Sequence, residues 1–471
     1  MVKRSTLRAL ALTLCTLLAA ALLWALWGFD AYYRPASVNP LAHTSAPENT
    51  SAIEGSASRT SNDARAPSKA QVERGQYLAR VGNCVFCHTA PAGAVLAGGR
   101  AIQTPFGTVH TSNLTRDPEH GLGRWTQDDF WQALHLGLGP QGQRLSPAFP
   151  YTSYSRLTRA DAEALWAFLQ SVPAVPRPKT DANMVWPFGT QTALGLWRAM
   201  YFRPFQNPHE DAAPAGADPV VWTRGRYLVE GLGHCQECHS PRDALGGLRD
   251  ATRGSGGVLP GLPWYAPSLS DAAQAGATDA QALQNFLQTG LGAGRFAAGS
   301  MAELVLHGTQ YLNDQDAQAM AVYLQSLVQN PAGIAMLHSG ANANTGQIAS
   351  SISSSNANPS QAKGADIYKN NCADCHGDQG QGRAGVYPAM AGNRALLMDK
   401  PNNAVLSVLY GGFAPSTQGH TRPFGMPPFM LELSNAQIAQ VLSYTRSAWG
   451  NQAAPISELQ VQAVRDPQQR R

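Results

Sequence analysis

Three pentads carry the chemistry that can be read from this chain: Cys84-Val-Phe-Cys87-His88, Cys235-Gln-Glu-Cys238-His239 and Cys372-Ala-Asp-Cys375-His376. Two thiols three positions apart share one side of a helical turn, spaced to bond covalently to the two vinyl groups of a haem, and the next residue presents an imidazole to the iron. A lone Cys-x-x-Cys also reads as half a zinc site or as a redox dithiol. Zinc, however, needs four ligands in one small unit, and each pair here is separated from the next by most of a domain's length. Neither reading explains a histidine recurring in the same place. The expected chemistry is one-electron transfer at three covalently bound haem c groups. Cys84, Cys87, Cys235, Cys238, Cys372 and Cys375 are the attachment sites, and His88, His239 and His376 the proximal iron ligands.

The second axial ligand should come from a loop ahead of the last helix of each segment. In the third segment Met426, in Gly425-Met-Pro-Pro-Phe, is the thioether donor, with Met430 as the nearby alternative. In the second it is Met301, in preference to Met320, whose helical spacing reads as core. Histidine–methionine ligation fills both axial positions and raises the potential, which suits electron transfer. The first segment departs from this pattern. Its equivalent loop is Ser146-Pro-Ala-Phe149-Pro-Tyr151, and no methionine lies between Met1 and Met184. That iron is either five-coordinate or takes its ligand from His110, His120, His135 or Met184.

These residues must be held by repeated elements. Arg74-Gly-Gln-Tyr-Leu precedes the first pentad, Arg224-Gly-Arg-Tyr-Leu the second and Lys363-Gly-Ala-Asp-Ile-Tyr the third, so one domain type is used three times. Each segment closes with a helix that has a start signal and an apolar stripe. Thr158 caps one carrying Leu165, Phe168 and Leu169. Asn313 caps another carrying Met320, Tyr323, Leu324 and Leu327. Ser434 with Gln437 makes a capping box ahead of Ile438, Val441 and Leu442.

Charged residues make up 14% of the 471 positions, with 45 Gly and 32 Pro, a composition of small helices joined by long loops. A formal charge of +4 gives no electrostatic case for nucleic-acid binding. Lys3, Arg4 and Arg8 precede the uncharged apolar run Ala9–Phe29, long enough as a helix to cross a bilayer core of ~30 Å. Its bulky exit, with Trp24 and Trp27, favours an uncleaved anchor over a cleaved signal. Cys15 within it reads as a membrane-core thiol. The basic end stays cytoplasmic, which places the remainder at the periplasmic face of an inner membrane. The fold expected is mainly α: three tandem cytochrome c domains behind an N-terminal transmembrane or signal helix. The boundaries are an anchor or signal at 1–34, a flexible linker at 35–70, domain 1 at 71–176 and a connector at 177–219. Domain 2 follows at 220–328, then a linker at 329–360, domain 3 at 361–450 and a tail at 451–471.

Several loops add a resemblance. Phe106-Gly-Thr with Ser112-Asn-Leu-Thr, Pro147-Ala-Phe-Pro-Tyr-Thr-Ser-Tyr154 and Thr309-Gln-Tyr-Leu are joined by Tyr387-Pro, Ala391-Gly-Asn and Ser447-Ala-Trp-Gly-Asn451. Over about residues 70–450 the chain resembles the triple-haem cytochrome c subunit of membrane-bound, pyrroloquinoline-quinone-dependent alcohol dehydrogenases and of the related gluconate, sorbitol and aldehyde dehydrogenases. The resemblance implies that a periplasmic catalytic subunit oxidises an alcohol, aldehyde or polyol with its own pyrroloquinoline quinone, flavin or molybdopterin. Electrons would then pass through the haems to ubiquinone in the membrane. Where members with three His/Met haems carry Met in the first loop, this chain has Phe149. No substrate chemistry of its own, and no catalytic residue, is expected of such a relay. Two other readings compete: a peroxidase or reductase working at an open first haem, and the cytochrome arm of a terminal oxidase.

Overall fold

The computed structural model describes residues 67–205, 212–270, 280–292, 295–329 and 359–466, with isolated positions 13, 16, 17 and 20. The Ala9–Phe29 run, apart from Thr13, Thr16, Leu17 and Ala20, lies outside them, as do Cys15 and nearly all of both expected linkers. Among the described residues no helix is long and apolar enough to cross a membrane.

The chain is mainly helical. Its first segment contains α1 (Lys69–Val81), α2 (Gln127–Leu136), α3 (Arg159–Ser171) and α4 (Gln191–Tyr201). The second has α5 (Pro219–Arg226), which continues as a π-helical stretch Tyr227–Leu232, then α6 (Ala280–Thr289), α7 (Gly299–His307) and α8 (Asp314–Gln329). The third has α9 (Pro359–Asn371), α10 (Asn402–Tyr410), α11 (Asn435–Thr445) and α12 (Glu458–Arg465). The closing helices begin at the expected caps. Thr158 Oγ1 accepts from the Asp161 N–H at 3.2 Å, Asn313 Oδ1 accepts from the Asp316 N–H at 2.8 Å, and Ser434 and Gln437 form a reciprocal box.

In every segment the helix leading into the pentad packs along the closing helix: α1 on α3, α5 on α8, α9 on α11. The glycine of each opening motif explains how closely. A Cβ at Gly75 would lie 1.8 Å from the Ala164 carbonyl oxygen, one at Gly225 1.9 Å from that of Ala319, and one at Gly364 2.4 Å from that of Gln440. Only glycine lets the two backbones meet there.

Leu78, Leu165 and Leu169 of the first segment and Leu228, Leu232, Ala321 and Leu324 of the second share one continuous buried core. The third segment builds its own around Tyr368, Leu406, Ile438 and Leu442. Residues 451–471, expected only as a tail, contain α12, whose Val461 and Val464 are buried in that core because α12 packs on α10 and α11.

Small sheets brace the loops, which the helical periodicity did not announce. β1 (Ala101–Thr104), β2 (Gly107–His110) and β3 (Asn183–Met184) form an antiparallel sheet with Ile102 opposite Val109 and Gly107 opposite Met184. Two-residue ladders elsewhere pair Gly257–Val258 with Tyr265–Ala266, Leu291–Gly292 with Arg295–Phe296, and Gly412–Phe413 with Gly425–Met426. The connector divides. Trp186 is 82% exposed, whereas Phe202 is buried edge-on to Tyr151 at 4.9 Å and Arg198 donates to the Leu136 carbonyl at 2.6 Å.

Candidate haem-attachment sites

Each pentad closes on itself in one helical turn. The His88 N–H donates to the Cys84 carbonyl at 2.9 Å, that of His239 to Cys235 at 3.0 Å and that of His376 to Cys372 at 2.9 Å. The histidine carbonyls in turn accept from the N–H groups of Gly98 (2.7 Å), Gly256 (2.8 Å) and Gly382 (2.8 Å). These three glycines have φ of +72°, +85° and +63°, a left-handed backbone that favours glycine. One local architecture is therefore built three times.

The imidazoles supply the test of whether a haem fits. His88 Nδ1 lies 2.7 Å from the Ser112 carbonyl oxygen, His239 Nδ1 2.7 Å from that of Pro267, and His376 Nδ1 2.8 Å from that of Pro388. A backbone carbonyl can only accept, so Nδ1 carries the proton and Nε2 keeps its lone pair for a metal. Burial lowers the pKa of all three rings, which holds them in the neutral, ligating form. The residues fit the group.

The loops that supply these carbonyls are fixed by buried amides. Asn113 accepts from the N–H (2.9 Å) and hydroxyl (2.7 Å) of Thr115 and donates to the Val175 carbonyl at 2.8 Å, anchoring Ser112 beside it. Asn451 accepts from the Gly392 N–H at 2.8 Å and donates to the carbonyls of Thr445 (2.7 Å) and Met390 (3.1 Å), pinning the loop that follows Pro388. The Ser-Asn-Leu-Thr and Trp-Gly-Asn runs noted in the sequence are these clamps.

The thiols argue against a dithiol or zinc role. All six are unbridged. Burial pushes Cys84 and Cys235 up to about 12 and Cys238 and Cys372 up to about 11, and it also raises Cys87. Reactive or metal-binding cysteines need the opposite shift. Among the described residues no group of three His, Cys, Asp or Glu side chains is arranged to hold a metal ion.

Of the axial candidates, Met426 and Cys372 both pack against the third segment's core, whereas Met430 is 37% exposed. Met426 is held in a short strand opposite Gly412. Met301 lies in the first turn of α7, not on a loop, and packs with Ala302 and Val305, while Met320 is 2% exposed in the α8 core. In the first segment Phe149 packs on Tyr154 at 5.5 Å, and the Tyr154 hydroxyl donates to the Gly82 carbonyl at 3.1 Å, beside Cys84. His110 and Met184 sit on the three-stranded sheet, His120 beside Glu119, and His135 stacked on Trp131 at 4.7 Å.

One residue that the sequence reading passed over is Glu237, inside the second pentad. It accepts from Arg242 at 2.6 Å and, from the first segment, from the hydroxyls of Thr152 (2.8 Å) and Ser153 (3.1 Å). Burial opposes its charge, but Arg242 and Thr152 more than offset this and hold the carboxyl below its ordinary range. Across the same interface Phe86 of the first pentad stacks on His307 at 4.4 Å, and His234, next to the second pentad, meets Tyr154 edge-on at 5.6 Å. Both pentads therefore border the contact between the first two segments. The third segment holds the second through Asn403, which accepts from the Tyr265 N–H at 2.9 Å and donates to its carbonyl at 2.7 Å.

Comparison with known proteins agrees with this geometry. The cytochrome c family matches residues 361–449. The alcohol dehydrogenase (quinone) cytochrome c subunit of Gluconacetobacter polyoxogenes is 35% identical over 84% of this chain and 84% of its own length. The fructose dehydrogenase cytochrome subunit of Gluconobacter japonicus is 34% identical over 92% and 90%. The gluconate 2-dehydrogenase cytochrome c subunit of Pantoea cypripedii is 35% identical over 82% and 87%. The repeated His–carbonyl–glycine geometry and this similarity along most of the chain lead to one conclusion: the protein belongs to the family of dehydrogenase cytochrome c subunits, electron-transfer proteins carrying covalently bound haem c.

Proposed function

We propose that the chain is the triple-haem relay of a membrane-tethered dehydrogenase complex at the periplasmic face of the inner membrane. It takes electrons from a catalytic subunit that oxidises an alcohol, aldehyde or polyol with pyrroloquinoline quinone, flavin or molybdopterin, and it delivers them to ubiquinone. Three cytochrome c domains at 71–176, 220–328 and 361–450 stand behind the anchor at 1–34. The observation that carries this reading is the threefold recurrence of a neutral imidazole whose Nδ1 is held by a backbone carbonyl beside an unbridged cysteine pair.

Each haem, when bound, supplies an iron that gains or loses one electron. The chain's residues do the rest. Cys84 and Cys87, Cys235 and Cys238, and Cys372 and Cys375 provide the thioether attachments. His88, His239 and His376 would ligate the iron through Nε2, and their carbonyl partners fix ring orientation and raise ligand basicity. Met301 and Met426 would each supply a thioether sulfur as the second ligand at the second and third sites. Glu237, ion-paired with Arg242 and accepting from the Thr152 and Ser153 hydroxyls, ties the second pentad to the first segment.

The relatives are dehydrogenase subunits, which leaves the haem-enzyme and terminal-oxidase readings without support. The test is purification from the native membrane. A dehydrogenase subunit should copurify, and its substrate should reduce the haem absorption. A preparation without such a subunit, or with haems that stay oxidised when substrate is added, would contradict the proposal.

A further inference from the structure

Two of the three carbonyls that hold the imidazoles are anchored by an asparagine of their own segment, Ser112 by Asn113 and the Pro388 loop by Asn451. In the second segment the carbonyl is that of Pro267, and the residue after it is Ser268, which has no amide. Its hydroxyl meets that of Ser270 at 2.7 Å. We propose that Asn403 of the third segment supplies the amide that the second lacks, as a positioning residue that fixes the proximal imidazole of the second haem from another domain. This inference rests on the triple-haem reading above.

The route from Asn403 to His239 is short and made of backbone. Asn403 Oδ1 accepts from the Tyr265 N–H at 2.9 Å and its Nδ2 donates to the Tyr265 carbonyl at 2.7 Å, so one amide takes both backbone groups of a single residue. Beside it, Asn402 is buried and donates to the Pro263 carbonyl at 2.8 Å. Tyr265 stands two residues before Pro267, in the ladder that sets it opposite Val258 and sets Ala266 opposite Gly257. Gly256, next in that hairpin, donates its N–H to the His239 carbonyl at 2.8 Å, while the Pro267 carbonyl lies 2.7 Å from His239 Nδ1. The hairpin that Asn403 grips therefore holds His239 by both its backbone and its ring.

A two-stranded hairpin this short is marginally stable by itself, so the direction of the Pro267 carbonyl depends on what braces the hairpin's edge. The third segment does so twice. Asn403 takes Tyr265, and Trp264 packs against the third core. The Trp264 ring also covers Gly299, where a Cβ would lie 2.3 Å from it, at the head of the helix that carries Met301. An imidazole whose Nδ1–H is held by a well-placed acceptor is the more basic ligand, and a more basic ligand favours the oxidised iron. Loosening that acceptor should raise the potential of the second haem.

The test uses the intact purified protein and three variants, N113A, N403A and N451A, each of which removes one clamp. Haem c is counted by pyridine haemochrome, and the three potentials are read by redox titration with spectroscopy. Each variant should raise one potential, a different one in each case. N403S, a milder change should N403A not fold, should move the same potential as N403A. P415A loosens another contact between the two segments, where Pro415 meets Gly290, and should leave that potential in place. Two clamp variants acting on one potential, a clamp variant that moves none, or a P415A variant that matches N403A would overturn the inference. A haem count below three in the parent protein would overturn the reading beneath it.

Discussion

Tyr77 donates its hydroxyl to Asp316 at 2.6 Å, and the relationship is mirrored by Tyr227, which donates to Asp161 at 2.6 Å. Each aspartate is also gripped by the arginine of its own segment, Asp161 by Arg74 and Asp316 by Arg224, the latter through two 2.7 Å bonds. The Arg-Gly-x-Tyr-Leu motif thus works twice. Its arginine ties the opening helix to the closing helix within a segment, and its tyrosine reaches across to the other segment. The result is a reciprocal interface, as between two copies of one subunit, formed inside a single chain.

Removing either half of this arrangement has different consequences. Y77F deletes one hydrogen bond to a charged group and should lower unfolding stability by about 1.5 kcal/mol. D316A leaves Arg224 and the Tyr77 hydroxyl without their shared acceptor and should cost about 3 kcal/mol. Urea unfolding followed by circular dichroism checks both, and equal effects would contradict the assignment.

The interface should also respond to acid. Burial works against the Asp316 charge, but Arg224 and Tyr77 outweigh it and hold the carboxyl below its ordinary value, as Arg242 and Thr152 do for Glu237. Their folded pKa values are depressed, so the stabilisation is complete above the unfolded carboxylate range near ~4 and is lost as pH falls through the folded values. Denaturation midpoints from pH 7 to pH 3 should fall below pH ~4, and the fall should be shallower in D316N and E237Q.

The methionines separate by role. M426L and M301L should change the spin state or lower the potential of one haem each, since His/Met ligation raises the potential. M430L should leave the spectrum unchanged, and M320L, a volume-conserving core change, should cost less than about 1.5 kcal/mol without a spectral effect. Redox titration with spectroscopy reads all four.

The shared local form of the three pentads was legible because it rests on a fixed spacing, and spacing survives in one dimension. The closing helices were legible for the same reason: Thr158, Asn313 and Ser434 act within four residues of themselves. What the pattern could not show is where residues distant in sequence meet. Tyr77 and Asp316 lie in different repeats, and Glu237 reads as an ordinary surface acid until Thr152 and Ser153 arrive from another segment. The two-residue ladders were also silent, being too short for any alternation to register. Met320 is a core residue, as its helical spacing indicates, while the expected loop around Met301 is the first turn of α7, a placement that its sequence context did not signal.

The Asn113 clamp gives a prediction that a purely structural amide would not. N113A removes the acceptor of two Thr115 donors and the donor to Val175, at a cost of about 2 kcal/mol, and it loosens the Ser112 carbonyl that orients His88. The potential of the first haem alone should shift. A uniform loss of stability with all potentials unchanged would mean that the clamp does not reach the imidazole.

The most direct check of the whole account is the intact mass of the mature polypeptide, followed by peptide mapping. The account predicts a mass increment of three haem groups, resolved as one haem on each peptide containing Cys84 and Cys87, Cys235 and Cys238, or Cys372 and Cys375. A pentad peptide recovered unmodified from fully matured protein would contradict it.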